Sequence, residues 1–214
     1  MRKIAFFGGT SGLGSQVKNY LTEHTIDVVG SNLVNFENLE TIDSYFKNNK
    51  DIEVLIIFNN YNYNSFMHKY TNDTDNQLLK QININITGIT QSITRALKSM
   101  REQKFGRIII ASSITVDRNV MGTGVYAASK AYMENLVKTI SIENASTGIT
   151  ANCIQLGYMD GGLTYTLSPD FIETIVNSIP AKRLGKPEEI ANTIKYLIDT
   201  EYVNGSTIKI TGGL

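Results

Sequence analysis

Short apolar runs rich in β-branched and aromatic residues alternate with amphipathic segments along the whole 214-residue chain. Such alternation is typical of βαβ units, and apolar strands of this unbroken kind suit a parallel sheet covered on both faces. The predicted strands are Lys3–Phe7, Ile26–Ser31, Glu53–Phe58, Gly106–Ser112, Gly148–Leu156 and Ser206–Ile210. The predicted helices are Gly12–Glu23, Leu39–Asn48, Asp73–Gln103, Gly124–Asn144, Ser168–Asn177 and Pro187–Thr200. Because no linker or composition break divides the chain, we predict one domain over residues 1–214, an α/β, Rossmann-like, doubly wound parallel sheet with helices on both faces.

The composition argues against nucleic-acid, membrane and metal partners and suggests a reducing compartment. The formal net charge is +0, so no overall field attracts nucleic acid or an anionic membrane. A single cysteine, Cys153, excludes an internal disulfide, and the two histidines have no matching ligands nearby, so we expect no metal site. The apolar run at the N-terminus is too short for a signal peptide, and no segment approaches a membrane span. We therefore expect a cytoplasmic protein with neither nucleic-acid nor membrane partners.

A glycine-rich loop, Gly8-Gly9-Thr10-Ser11-Gly12-Leu13-Gly14, follows the first predicted strand and opens the first predicted helix. Glycines are needed where a turn is tight, where backbone approaches a pyrophosphate, and where a helix packs closely on a strand. The helix N-terminus then offers free N–H groups to the phosphates. The loop predicts a nucleotide site built from Gly8, Thr10, Ser11, Gly12, Leu13 and Gly14. A plain strand-to-helix connection is the alternative.

Tyr126 and Lys130 are four residues apart in a predicted helix, so their side chains share one helical face. Ser113 closes the preceding strand-like run, and a strand end facing a helix start is where parallel sheets gather their chemistry. A tyrosine that donates a proton near neutral pH needs a pKa well below its usual value of about 10. The lysine cation and the helix N-terminus both favour the phenolate, so we expect them to lower that pKa. Such pairs also arise by chance among 11 tyrosines, so the prediction depends on the surrounding motifs.

With both motifs in view, the chain resembles the short-chain dehydrogenase/reductase family over nearly its whole length. Gly8, Gly12 and Gly14 match the G-x-x-x-G-x-G cofactor loop of that family. Asn59-Asn60 matches the start of its Asn-Asn-Ala-Gly motif. The catalytic positions of the family are matched by Asn85, Ser113, Tyr126 and Lys130.

The resemblance implies an oxidoreductase that transfers a hydride between NAD(P)(H) and a carbonyl or secondary alcohol. Tyr126 would act as general acid and base, Ser113 would hold the substrate oxygen, and Lys130 would lower the tyrosine pKa and hold the nicotinamide ribose. Asn85 would anchor a water molecule that relays protons from Lys130. Cofactor contacts implied by position, beyond the glycine loop, are Asn32, Leu33, Asn59, Asn60, Tyr126, Lys130, Gly157 and Met159.

Four residues depart from the family pattern near the expected cofactor. Phe7 replaces a threonine, Tyr61 a small residue, Leu156 a proline, and Gly161 a threonine. These departures motivate an alternative function, a non-catalytic binding or regulatory protein on a degenerate scaffold. A sugar-nucleotide epimerase or dehydratase would share the Tyr/Lys pair, but those relatives space their glycines G-x-x-G-x-x-G.

The N-terminal half is also short. The stretch from Gly8 to Asn59 falls short of the family's usual interval by about one βα unit. We therefore predict that the second strand and its helix are missing or merged. Ser31 and Asn32 stand where an acidic residue would read a ribose 2′-hydroxyl or a basic residue a 2′-phosphate. Because neither is charged, the choice between NAD and NADP is left open.

The segment from Tyr158 to Ser178, called the lid here, occupies the position of the family's substrate lid. Its shortness favours a small or open-ended carbonyl or alcohol substrate. Relatives assemble through the helices that carry Asn85 and Tyr126, so the resemblance also implies a homodimer or homotetramer.

Overall fold

A computed structural model describes residues 1–70 and 76–214, with only the backbone at Leu163. Its strands are β1 (Lys3–Phe7), β2 (Thr25–Val29), β3 (Val54–Ile57), β4 (Gly106–Ser113), β5 (Ile149–Leu156) and β6 (Thr207–Ile210). Its α-helices are α1 (Gly12–Lys18), α2 (Leu39–Asn48), α3 (Gln77–Ile82), α4 (Ile89–Gln103), α5 (Gly124–Asn144), α6 (Pro169–Ser178) and α7 (Pro187–Asp199). Every strand pair is parallel, which confirms the predicted parallel α/β fold.

The strand order is β2-β1-β3-β4-β5-β6, so the chain reverses its direction of travel across the sheet at β1. In doubly wound sheets, ligands bind beyond the carboxyl ends of the strands at this switch point, between β1 and β3. The usual order places two strands outside β1, whereas the described residues place only β2 there. The shortened N-terminal half therefore corresponds to a βα unit lacking at this edge of the sheet.

Two hydrophobic cores cover the two faces of the sheet. Phe7 and Phe6 are neighbours on β1 but point to opposite faces, as the strand period requires. Phe7 joins the core under α2, α4 and α5, together with Val137 of α5. Phe6 joins the core under α1 and α7, together with Val17 and Ile194. Burial of such side chains contributes about 1.5–3 kcal/mol each and holds α1 and α5 against opposite faces of the sheet.

The helix predictions differ from the structure by more than one residue at two places. The first helix ends at Lys18 rather than Glu23, because the chain continues in turns bonded from residue i to i−3 that bring Leu21 into the core. The predicted helix Asp73–Gln103 begins, within the described residues, at Gln77, and Asp73 lies outside them. It is interrupted by a π-helical stretch over Asn83–Gly88. Such stretches are frequent at functional sites.

Candidate active site

The glycine loop makes two close backbone approaches that exclude side chains. Gly8 has a φ of 81°, and a Cβ at this position would lie 2.8 Å from the backbone nitrogen of Asn59. A Cβ on Gly14 would lie only 2.1 Å from the carbonyl oxygen of Gly8. The first helix therefore packs directly on the loop, and the loop packs directly on the end of β3. These contacts supply the physical reason for two of the predicted glycines.

The middle of the glycine loop faces solvent. Thr10, Ser11 and Gly12 are exposed, and Leu13 is half-buried. Ser11 is the N-cap of α1 but makes no side-chain cap, so the side chain leaves the first-turn N–H groups available. Gly12 has a φ of 55°, a left-handed conformation that favours glycine. An exposed, uncapped helix start of this kind suits the phosphates of a dinucleotide.

The residues after β2 lie beside the glycine loop. The backbone N–H groups of Leu33 and Val34 both donate to Gly30 at 3.0 Å, forming a tight turn. A Cβ on Gly30 would lie 2.8 Å from Thr10 Cγ2 and 2.9 Å from Asn32 Oδ1. Asn32 and Leu33 are both exposed, so the turn presents them next to the loop, where the sequence analysis expects the adenosine.

Asn59 leaves one hydrogen-bond acceptor buried and unpaired. Its Oδ1 atom has no partner among the described residues, and it lies 3.0 Å from the position of a Cβ on Gly8. An unpaired buried acceptor costs about 1–3 kcal/mol, so a donor on a ligand would relieve the cost. Ribose hydroxyls are donors of this kind. Asn60, the next residue, is exposed. On these observations the loop residues fit a dinucleotide.

Tyr61 contacts α3 through its side chain. Its hydroxyl hydrogen-bonds to Gln77 of α3, and the Lys80 ammonium lies 4.8 Å from the centroid of its ring. The ring therefore packs on α3.

Asn85 lies in the π-helical stretch and clamps the backbone of Tyr61. Its Nδ2 donates to the Tyr61 carbonyl and its Oδ1 accepts from the Tyr61 N–H, both at 2.7 Å. The residue is 1% exposed, and its Nδ2 also lies 3.4 Å from Ser129 Oγ. The side-chain amide thus positions the loop that follows β3 and is not directed to solvent.

Three predicted catalytic residues converge at the carboxyl end of β4. Ser113 is the last residue of β4, and its hydroxyl lies close enough to Tyr126, near the start of α5, to lower the pKa of the phenol. Lys130 Nζ donates to the carbonyl oxygen of Ala111 at 2.9 Å and lies 5.6 Å from the centroid of the Tyr126 ring. Thr115 donates its hydroxyl to Ser113 at 3.0 Å. The cluster can hold a substrate oxygen and exchange a proton with it.

The electrostatics of this cluster differ from the expectation. Burial raises the pKa of Tyr126, and the nearby Ser113 hydroxyl offsets this only in part. Lys130 is 3% exposed, and burial lowers its pKa to about 8. The expected lowering of the tyrosine pKa by lysine is therefore not found, because Lys130 bonds to Ala111 and burial dominates at Tyr126. The phenol keeps its proton at neutral pH.

The residue before the lid and the first lid residues are packed into the protein. Gly157 donates its N–H to Ile210 at 2.9 Å. Met159, predicted as a cofactor contact, is 4% exposed and packs in the core against Gly185. Its side chain is thus directed inward, and only its backbone is left to meet a cofactor. Leu156, in place of the usual proline, simply joins the core beneath α1 and α7.

Two residues next to the predicted site were missed in the sequence. Thr115 bonds to Ser113, and Ser129 donates its hydroxyl to the Tyr126 carbonyl at 2.7 Å while lying close to Asn85. Their only signal in the sequence is proximity to residues already singled out. No position in the sequence reveals the hydrogen bonds that their hydroxyls make.

A cavity of about 780 Å³ adjoins this cluster at Thr115. It opens between the loop Ser65–His68, the residues after β4, and the face of α5 that carries Ala127, Ala128 and Ala131. Thr115, which bonds to Ser113, lines it, whereas Tyr126 and Lys130 do not. Across residues 1–70 and 76–214, no group of three or more His, Cys, Asp or Glu side chains is placed to hold a metal ion. No helix of this part of the chain is long and apolar enough to cross a membrane.

Comparison with known proteins gives a consistent set of relatives. A family model described as enoyl-(acyl carrier protein) reductase matches residues 15–214. The 3-oxoacyl-(acyl-carrier-protein) reductase FabG of Rickettsia felis is 30% identical over 227 aligned positions, which cover 97% of this chain and 92% of that protein. The 3-oxoacyl-(acyl-carrier-protein) reductase MabA of Mycobacterium tuberculosis is 34% identical over 143 residues, 66% of this chain. The acetoacetyl-CoA reductase of Synechocystis sp. is 34% identical over 134 residues, 61% of this chain.

The last two matches are partial, since they span 58% of the mycobacterial protein and 56% of the cyanobacterial one. Among solved structures, a short chain dehydrogenase/reductase family protein superposes with a TM-score of 0.83. The superposition covers 99% of this chain and 96% of that one at 21% sequence identity. At that identity the structural match supports the fold alone.

Proposed function

Because the chain belongs to the short-chain dehydrogenase/reductase family, we propose that it is an oxidoreductase that transfers a hydride between NAD(P)(H) and a carbonyl or secondary alcohol. Residues 1–214 would form one domain that carries both the cofactor site and the catalytic site. The observation that carries the proposal is the convergence of Ser113, Tyr126 and Lys130 at the carboxyl end of β4, on the same edge of the parallel sheet as the glycine loop that follows β1.

Each of the three residues has a defined task in a reduction. The Ser113 hydroxyl holds the carbonyl oxygen of the substrate, and the Tyr126 phenol gives that oxygen a proton. Burial keeps the Tyr126 phenol protonated in the protein without cofactor, and bound cofactor and substrate would have to lower its pKa for efficient proton transfer near neutral pH. Lys130 holds the nicotinamide ribose, and Asn85 keeps the loop after β3 in place by clamping Tyr61.

The residues proposed to hold the cofactor lie in the loops beyond the carboxyl ends of the strands, around the switch point of the sheet. The loop from Gly8 to Gly14 would take the pyrophosphate, Asn32 and Leu33 the adenosine, and Asn59 a ribose hydroxyl. Asn60, Gly157 and the backbone of Met159 complete the set. A bound nicotinamide would supply or accept the hydride. Neither Ser31 nor Asn32 carries a charge, so the choice between NADH and NADPH is a matter for measurement.

The relatives' names suggest a substrate class, since 3-oxoacyl-(acyl-carrier-protein) and acetoacetyl-CoA are both 3-oxoacyl thioesters. We propose a 3-oxoacyl thioester as the substrate.

A homodimer or homotetramer is proposed as well, supported by two apolar side chains that α5 leaves on the surface. Ile142 is 83% exposed and Tyr132 is 38% exposed. Light scattering of the purified protein tests the assembly.

The test of the function is turnover of acetoacetyl-CoA with NADPH and with NADH, in the unmodified protein and in two variants. Tyr126→Phe removes the proposed acid, and we expect turnover to fall by about 10²–10⁴-fold. Tyr132→Phe, on the exposed side of the same helix, is the matched control and should keep full activity. Turnover that survives in Tyr126→Phe contradicts the assignment. Failure of the unmodified protein to bind either cofactor would favour the non-catalytic alternative.

A further inference from the structure

The Gln16 side chain lies directly beneath the lid. Gln16 belongs to α1, and its Oε1 atom is buried without a hydrogen-bond partner. A Cβ on Gly161 would lie 1.9 Å from that oxygen, 2.9 Å from Cδ and 3.2 Å from Nε2. The amide of Gln16 therefore fills the space that a side chain at position 161 would need. A long side chain on α1 and a glycine in the lid are fitted to each other.

The next lid residue lies on the first turn of α1. A Cβ on Gly12 would meet the Cα atom of Gly162 at 3.8 Å. A Cβ on Gly162 would lie 3.2 Å from Leu13 Cβ and 3.3 Å from the Leu13 backbone nitrogen. The N–H groups of this turn are the ones that dinucleotide phosphates need. In this position the lid backbone therefore lies against one side of the first turn of α1, at Leu13, next to the exposed residues where the pyrophosphate would bind.

The closed position of the lid is destabilised by the unpaired amide oxygen of Gln16. A buried carbonyl oxygen without a donor disfavours the state that buries it by about fivefold to a hundredfold in an equilibrium constant. When the lid lifts, water can reach the Gln16 amide and the penalty disappears. The same side chain thus supplies the contact surface for the closed lid and limits how stable the closed lid becomes.

We propose that Gln16 is a positioning residue that latches the lid against the first turn of α1 through Gly161, and that its unpaired amide oxygen keeps the latch weak enough to open for the dinucleotide. The role in cofactor entry rests on the function proposed above, whereas the latch itself is a property of the protein alone. An affinity for cofactor measured on a partly closed protein is reduced by the fraction that is open. Strengthening the latch should therefore weaken cofactor binding in proportion.

Amide hydrogen exchange followed by mass spectrometry tests the latch in the cofactor-free protein, on peptides covering residues 158–166. Gln16→Met keeps the length of the side chain and removes the unpaired oxygen, so we expect lid exchange to slow by about fivefold or more. Gly161→Ala places a methyl group against Gln16, so lid exchange should accelerate. The double variant Gln16→Ala with Gly161→Ala carries the same backbone change without the collision and should recover much of the lost protection. Lys18→Met, about 200° around the helix from position 16, is the control and should leave lid exchange unchanged.

Unchanged or faster lid exchange in Gln16→Met overturns the proposal, and so does a double variant that is no better protected than Gly161→Ala alone. Titration with NADPH and NADH then tests cofactor entry. We expect Gln16→Met to bind about fivefold or more weakly than the unmodified protein. If the exchange results hold and the unmodified protein binds neither dinucleotide, the latch stands and the proposed oxidoreductase function fails. If the unmodified protein binds and Gln16→Met binds equally well, the role in cofactor entry fails.

Discussion

Replacing Lys130 by methionine should change how the stability of the protein depends on pH. Lys130 is 3% exposed, and burial lowers its pKa to about 8 from the ordinary lysine value of 10.5. Its nearest described hydrogen-bond acceptor is the neutral carbonyl of Ala111. Below pH 8 the folded protein therefore carries a poorly compensated charge, which Lys130→Met removes.

The direction of the effect follows from proton binding in the two states. Between the folded pKa and the unfolded value of about 10.4, the unfolded chain binds more protons than the folded one. The unmodified protein therefore gains stability from this residue as the pH rises through that window. Lowering the pKa from about 10.4 to about 8 adds about 3 kcal/mol to the free energy of unfolding at high pH. Most of this gain appears between about pH 7 and pH 10. Lys130→Met lacks this gain, so its stability relative to the unmodified protein should fall by about 2–3 kcal/mol over the same range.

Urea unfolding of both proteins at three pH values across this range measures the difference directly. Other titrating groups are common to the two proteins and cancel in the difference. Lys138→Met is the matched control, because Lys138 lies on the same helix and is exposed. The reasoning is refuted if the difference between Lys130→Met and the unmodified protein stays constant within about 0.5 kcal/mol from pH 7 to pH 10.

Three further predictions concern the site's framework. Gly14→Ala should lower Tm by about 5 °C or more, because its Cβ would lie 2.1 Å from a loop carbonyl oxygen. Gly9→Ala, whose Cβ meets only side chains at 3.1 Å or more, should lower Tm less, and calorimetric melting compares the two. Asn85→Leu breaks both 2.7 Å bonds to the Tyr61 backbone, so urea unfolding should show a loss of about 2–4 kcal/mol, and a loss below 1 kcal/mol would contradict the clamp. Burial raises the pKa of Cys153, so it should react with a thiol reagent only at the rate of unfolding, and rapid labelling of the native protein would oppose this.

The sheet was largely predictable because its signals are local. Strands buried on both faces must be apolar throughout, so the run Lys3–Phe7 is visible without any partner strand. Gly8 and Gly14 were predictable for a similar reason, since a tight turn and a close helix approach leave glycine as the residue that fits. The shortened N-terminal half was readable because the interval from Gly8 to Asn59 is shorter than the one usual in the family. The order of the strands confirms it.

The side-chain environment of the site was not predictable, because it depends on contacts between distant parts of the chain. The sequence places Lys130 beside Tyr126 but does not show that Lys130 bonds to Ala111, so the direction of the tyrosine pKa shift came out reversed. The turn of the Tyr61 ring towards α3 requires knowledge of where α3 lies. Gln16 carried no signal at all, since its meaning comes from a lid glycine 145 positions later in the sequence.

The most direct test of the account is calorimetric titration of the purified protein with NADPH and NADH in parallel, repeated with Gly14→Ala and Tyr126→Phe. The account predicts micromolar binding of at least one dinucleotide to the unmodified protein. Binding should be lost in Gly14→Ala, whose loop is displaced, and kept in Tyr126→Phe, whose loop is intact. Absence of binding to the unmodified protein, or equal binding to Gly14→Ala, would contradict the claim that this glycine loop is a nicotinamide dinucleotide site.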